Sequence, residues 1–112
     1  MKNVIEIDGQ KAVIAYDPDI RMFRGSFLGL AGGADFYADS VEGLEAEGRT
    51  SLAVFLEACA EEGIEPFRRF SGRFNLRLDP EVHEAAVLAA ASENKSLNEW
   101  VAEAIEQAAR AA

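Results

Sequence analysis

Residues 73–81 read Arg73-Phe74-Asn75-Leu76-Arg77-Leu78-Asp79-Pro80-Glu81. The first six alternate polar and apolar, the period of a half-buried strand. Asp79-Pro80-Glu81 then opens a helix: an Asp cap, a proline in the first turn where its missing N–H is not needed, and an acid behind it. That helix is predicted from Pro80 to Glu93, with Val82, Ala86, Ala89 and Ala90 on one stripe. Asn94-Lys95 breaks it. Ser96 caps a second helix and Glu99, three residues on, completes a capping box. Leu97, Val101, Ala104, Ile105 and Ala108 share one face of this helix. Strand-helix-helix in about 40 residues is too little chain to bury a core alone. A single strand with an apolar face also needs a partner. The expected solution is a homodimer, or a tetramer of two dimers. Two strands would pair antiparallel, and Phe74, Leu76, Leu78, Val101 and Ile105 would fill the shared core.

The other face of that ribbon presents Arg73, Asn75 and Arg77 from each chain. Two antiparallel strands fit the DNA major groove; Arg suits guanine O6 and N7, and Asn suits adenine N6 and N7. Lys95, Ser96, Leu97 and Asn98 lie at the start of the second helix, where unpaired backbone N–H groups suit a phosphate. The competing readings are plainer. An arginine-rich edge strand can simply block aggregation, and Ser96 and Asn98 can be ordinary caps. Trp100 reads as core or dimer-interface packing, His83 as an exposed helix residue, and Cys59 as a small buried hydrophobe.

Upstream, Val4–Ile7 and Lys11–Tyr16 flank Asp8-Gly9, a strong hairpin signal because the tight turn needs positive φ. Met22–Leu28 reads as a third strand, Gly29–Gly33 as a loop and Asp35–Ala38 as a short fourth strand. Asp39 is the expected N-cap of a long helix, with Glu42 at its third position. Val41, Leu44, Leu52, Phe55, Leu56 and Cys59 recur at helical spacing, with Gly48 on the same face. A mid-helix glycine costs about 1 kcal/mol, so close approach to the sheet is the expected reason for it. Glu61-Glu62-Gly63 ends the helix, and residues 66–72 are expected to link the two halves.

Composition and charge narrow the function. The chain has 112 residues, 49% apolar and 28% charged, an ordinary globular balance. No apolar run approaches the ~18 residues of a membrane span, and the first residues do not read as a signal peptide. One cysteine makes a reducing cytoplasm the default compartment. One histidine leaves no basis for a zinc site or a Ser-His-Asp triad. Asp17, Asp19, Asp35 and Asp39 do not fall where a metal-dependent nuclease would need them, so neither an enzymatic role nor a cofactor is expected. Net charge is −9. Residues 1–67 hold five bases against 13 acids, net −8, whereas residues 68–112 hold six bases against seven acids, net −1. Residues 68–77 carry four arginines and no acid. An acidic first domain, 1–67, suits a basic partner; the second domain, 68–112, has a focused positive segment.

Arg73-Phe74-Asn75-Leu76-Arg77, Pro80-Glu81 and Lys95-Ser96-Leu97-Asn98-Glu99, in that order and spacing, resemble the ribbon-helix-helix repressors of the Arc/MetJ type over residues 72 to about 110. In that family the outward strand residues read bases, and the start of the second helix contacts phosphate. With the segment Asp35–Leu44, the helix ending Phe55–Cys59 and the Gly72–Arg77 strand, nearly the whole chain is similar to the HicB family of antitoxins. The resemblance implies an α+β chain. Its N-terminal part would be a partial ribonuclease-H-like sheet with one covering helix that blocks a HicA-like RNA-cleaving toxin. Its C-terminal part would be a ribbon-helix-helix domain that represses the operator of its own operon. A different class of function fits the same halves: a ribbon-helix-helix regulator whose first domain senses a small ligand or only oligomerises.

Overall fold

The computed structural model describes residues 1–112. The chain is α+β, a four-stranded antiparallel sheet with three helices. It divides into two compact units, with the boundary between Ser71 and Gly72.

The first unit is a meander, β1 (Val4–Ile7), β2 (Gln10–Asp17), β3 (Met22–Phe27) and β4 (Phe36–Ala38), in that spatial order. Asp8 and Gly9 sit at φ of 48° and 83°, and Ile7 pairs with Gln10 across them. This is the double positive-φ turn that matches strand twist, as Asp-Gly predicts. α1 (Val41–Glu62) lays Leu44, Gly48, Leu52 and Cys59 into the protein. The core joins Leu44 and Leu52 to Ile7, Ala12, Phe27, Leu30, Phe36 and Ala38. The Phe36 ring occupies space that two glycines vacate. A Cβ on Gly25 would lie 2.2 Å from the ring, and one on Gly48 would lie 3.1 Å from it and 2.3 Å from Ile7 Cδ1. Gly48 therefore admits the sheet's side chains to the helix backbone, the role expected of it.

Three local expectations change. Ser40, not Asp39, caps α1: its hydroxyl accepts from the Gly43 N–H at 3.0 Å. The third helical position is then Gly43, so Glu42 completes no capping box. Val41, at the first helical position, is exposed and lies off the stripe. The segment from residue 66 is also not wholly a linker. Leu30 bridges Phe67 antiparallel, the Ala31 N–H donates to the Pro66 carbonyl at 2.8 Å, and the Arg68 N–H donates to the Gly29 carbonyl at 2.8 Å. The glycine-rich loop and the start of the linker satisfy each other's backbone groups.

The second unit contains α2 (Pro80–Ser92) and α3 (Leu97–Ala111). The Asp79 carbonyl accepts from the Val82 and His83 N–H groups at 3.0 Å, although its side chain makes no cap bond. Asn94, at φ 55°, turns the chain, and the Lys95 N–H returns to the Ala90 carbonyl at 3.0 Å. Ala86 and Ala90 are buried, as the small-residue stripe predicts; Val82 is exposed. Residues 73–79 form neither helix nor strand ladder within the chain. The alternation of residues 73–78 favours a strand, but a ladder requires a second strand, and the 41-residue unit supplies none. No helix is long and apolar enough to cross a membrane.

Candidate nucleic-acid interface

The second unit encloses an open groove of about 1160 Å³. Phe74, Leu76 and Leu78 line one part of it, and Leu97, Val101 and Ile105 another. The structure thus brings together the five residues predicted as dimer core. Their exposure is high for apolar side chains: Phe74 72%, Leu76 53%, Ile105 43% and Leu78 40%. α3 is amphipathic, yet none of its residues is fully buried. Full burial of a large apolar side chain contributes about 1.5–3 kcal/mol, so covering this groove is a substantial driving force.

The predicted base readers flank that apolar row. Arg73 and Asn75 border the groove and Arg77 does not. All three are exposed. Arg73 also has a polar or electrostatic partner within the chain.

The α3 start is built as predicted. The Ser96 hydroxyl accepts from the Glu99 N–H at 3.1 Å and donates to the Glu99 carboxylate at 3.1 Å. The Trp100 N–H reaches the Ser96 carbonyl at 3.0 Å. Leu97 and Asn98 are the first two helical residues, whose N–H groups precede any intrahelical acceptor. The Ser96 hydroxyl is thus engaged, which leaves those two N–H groups and the exposed Asn98 side chain as the polar groups this end offers. Lys95 is more committed than its sequence position suggests. Its Nζ pairs with Glu103 Oε2 at 2.6 Å. That hydrogen bond raises the Lys95 pKa above the ordinary lysine value. The pairing bridges eight residues of sequence, from the turn to the second turn of α3, a spacing that no helix rule alone picks out. His83 and Glu106 also line the groove. Neither signals such a position in the sequence, because each stands on an exposed, polar part of its helix. Trp100 is half-buried and Cys59 is buried, as read.

In the first unit, Arg24 Nε donates to Asp35 Oδ2 at 3.0 Å, and Nη2 of the same guanidinium also pairs with that carboxylate oxygen. This hydrogen bonding raises the pKa of Arg24. Asp35, one of the acids weighed for metal chemistry, is thus held by an arginine. The exposed side of α1 carries Glu42, Glu45, Glu47, Glu57, Glu61 and Glu62 against Arg49.

Residues 55–105 fit the HicB family. The matched stretch begins in the second half of α1, crosses the joining segment and residues 73–79, and ends in α3. No curated protein and no solved structure matches the chain.

Proposed function

We propose that this chain is an antitoxin of the HicA/HicB type. Its first unit covers a small basic RNA-cleaving toxin and its second, as a ribbon-helix-helix dimer, represses its own operon. The observation that carries this reading is the match of residues 55–105 to the HicB family, an antitoxin family and not an enzyme family. Two features support it. The groove that unites Phe74, Leu76, Leu78, Leu97, Val101 and Ile105 is what two intertwined copies would close. Once residues 73–78 pair across the dimer, alternation turns Arg73, Asn75 and Arg77 to the face opposite that core. The ribbon then reads base edges, and the first turns of the two α3 helices hold phosphates on either side.

Neutralisation in this reading is steric and uses no catalytic residue of this chain. Residues 1–67 carry net −8, and an RNA-cleaving partner must be basic to hold its substrate. Complementary charge would speed their encounter. In this reading the first unit is a reduced ribonuclease-H-like sheet that serves as a binding surface.

The test has two arms on the full chain. Purification from the native host should recover a small basic protein whose growth inhibition is relieved by this chain. Gel shifts on the DNA upstream of its gene should show preference over a scrambled duplex of equal composition. Sequence-preferring DNA binding with no toxin partner would leave a regulator whose first unit has another role. Absence of both would overturn the antitoxin reading.

A further inference from the structure

The glycine-rich loop and the segment after α1 do more than satisfy each other's backbone. Leu30 and Gly32, with Glu65, Phe67, Arg68 and Arg69, line an open pocket of about 700 Å³. Every residue that lines it belongs to residues 2–71, so the first unit builds it alone. Small-molecule sites have volumes of about 300–1,000 Å³. Backbone bonds fix the walls: Leu30 bridges Phe67, the Ala31 N–H is tied to Pro66 and the Arg68 N–H to Gly29. The lining joins two chemistries. Leu30, a core residue, and the half-exposed Phe67 provide an apolar surface. Arg68 and Arg69 provide two guanidinium groups, and the ion pairs of the molecule engage neither. The Arg68 guanidinium lies 4.7 Å from the centroid of the Phe70 ring. Phe70 is itself 73% exposed, so the ring serves no core. Stacking engages the face of a guanidinium and leaves the N–H edges in its plane, the paired donors that match a carboxylate. A guanidinium held by ring and backbone has less freedom to lose on binding.

We propose that this pocket binds a small organic carboxylate with an apolar body, the carboxylate on Arg68 and Arg69 and the body against Leu30 and Phe67. The site goes beyond the antitoxin reading and does not rest on it. Charge supports the assignment. Residues 1–67 carry net −8, so the first unit repels an anion over most of its surface. Arg68 and Arg69 are the only adjacent bases in the chain, and the one acid beside them in the pocket is Glu65. Two arginines against one glutamate leave a single net positive charge, the complement of one carboxylate. A phosphate dianion would exceed that charge, and inorganic phosphate would leave the apolar wall unused. An apolar surface with a few convergent polar groups is the makeup of small-molecule sites.

The experiment titrates phenylacetate and hexanoate, one aromatic body and one aliphatic, into the isotope-labelled full chain and follows amide chemical shifts. Phenylacetamide, similar in shape but uncharged, is the control. At least one carboxylate should saturate in the millimolar range expected of so small a ligand, with shifts centred on residues 29–33 and 65–69. Phenylacetamide should bind about tenfold more weakly than phenylacetate. Arg68→Gln with Arg69→Gln should weaken the carboxylates by a similar factor and leave the amide unchanged. Glu65→Gln removes the opposing charge and should tighten the carboxylates alone. All three positions are exposed, and shifts outside the pocket report that each variant keeps its fold. Absence of saturation with both carboxylates overturns the site. Equal affinity for phenylacetate and phenylacetamide overturns it as well, because the arginines would then recognise nothing. Shifts centred instead on Lys2, Lys11 and Arg21, or on the groove of the second unit, would place the anion elsewhere and also overturn it. None of these outcomes bears on the antitoxin reading, which stands or falls on the toxin partner and the upstream duplex.

Discussion

The two units make opposite use of similar proportions of apolar sequence. Residues 2–71 close a core around Phe36 with their own sheet and helix, and Ile7, Ala12, Leu44 and Leu52 are almost fully buried. Residues 72–112 bury only Ala86 and Ala90 and leave Phe74, Leu76, Leu78 and Ile105 open. Length explains part of the difference, because the buried fraction of a chain falls with its size. Topology explains the rest. Four strands satisfy one another within one chain, whereas a lone strand and two helices cannot. One unit is therefore finished by its own sequence, and in the proposed reading the other is finished by a second copy.

The sharpest way to break this contrast is Leu76→Asp. In a closed dimer core an unpaired charge costs several kcal/mol and each dimer would contain two. In the single chain Leu76 is half open to solvent, so the monomer tolerates the change. Light scattering should show a dimer for the unaltered chain and a monomer for the variant, with the first unit's fold retained by circular dichroism. A monomeric unaltered chain at micromolar concentration would end the ribbon reading.

Phe36→Ala is the converse. Removing a buried Phe costs about 3–5 kcal/mol, and the flanking Gly25 and Gly48 provide no side chain to fill the space. Thermal unfolding should show the first unit strongly destabilised. Dimerisation and DNA binding, which the proposed function assigns to residues 72–112, should persist. Loss of both together would mean that the units fold as one.

How much of this was legible in the sequence follows the same division. The Asp8-Gly9 hairpin and the Ser96 cap are readable because each depends on neighbours in sequence, and the Gly48 approach because a glycine on a helix's apolar stripe is costly without a close neighbour. The sequence does not separate Ser40 from Asp39 as the α1 cap, since two adjacent residues could each accept from the first turn and only the path of the backbone selects one. The Leu30–Phe67 bridge and the Lys95–Glu103 pair escaped, because spatial neighbours brought together by a turn leave no periodic trace. The groove residues were predictable from alternation and helical spacing. Alternation at residues 73–78 predicts a strand, yet these residues form none within one chain, where no second strand is at hand to pair with.

Smaller effects sharpen the comparison inside the second unit. Arg77→Ala and Asn75→Ala should each lose about 1–3 kcal/mol of discrimination at one base pair. Gel shifts should show affinity for the upstream duplex falling more than affinity for a scrambled one. Equal loss on both would assign these residues to the DNA backbone. Neither change should alter the first unit's unfolding temperature.

The smallest effects come from two serines that do the same local work in different units. Ser40 accepts from the Gly43 N–H at 3.0 Å, and Ser96 accepts from the Glu99 N–H at 3.1 Å. Replacing either with alanine removes one cap bond, about 1 kcal/mol of helix stability. Calorimetry should therefore register comparable losses for Ser40→Ala and Ser96→Ala. Their effect on DNA should differ. α1 stands in a unit with no part in the ribbon, so Ser40→Ala should leave both duplexes bound as before. At α3, fraying of the first turn would misplace the Leu97 and Asn98 N–H groups to which the proposed interface assigns phosphate. Ser96→Ala should weaken upstream and scrambled duplexes by the same factor, because phosphate contacts carry no sequence information. A Ser96→Ala variant with the expected loss of stability and unchanged DNA affinity would reduce the α3 terminus to a cap alone, and the ribbon would then be the whole interface.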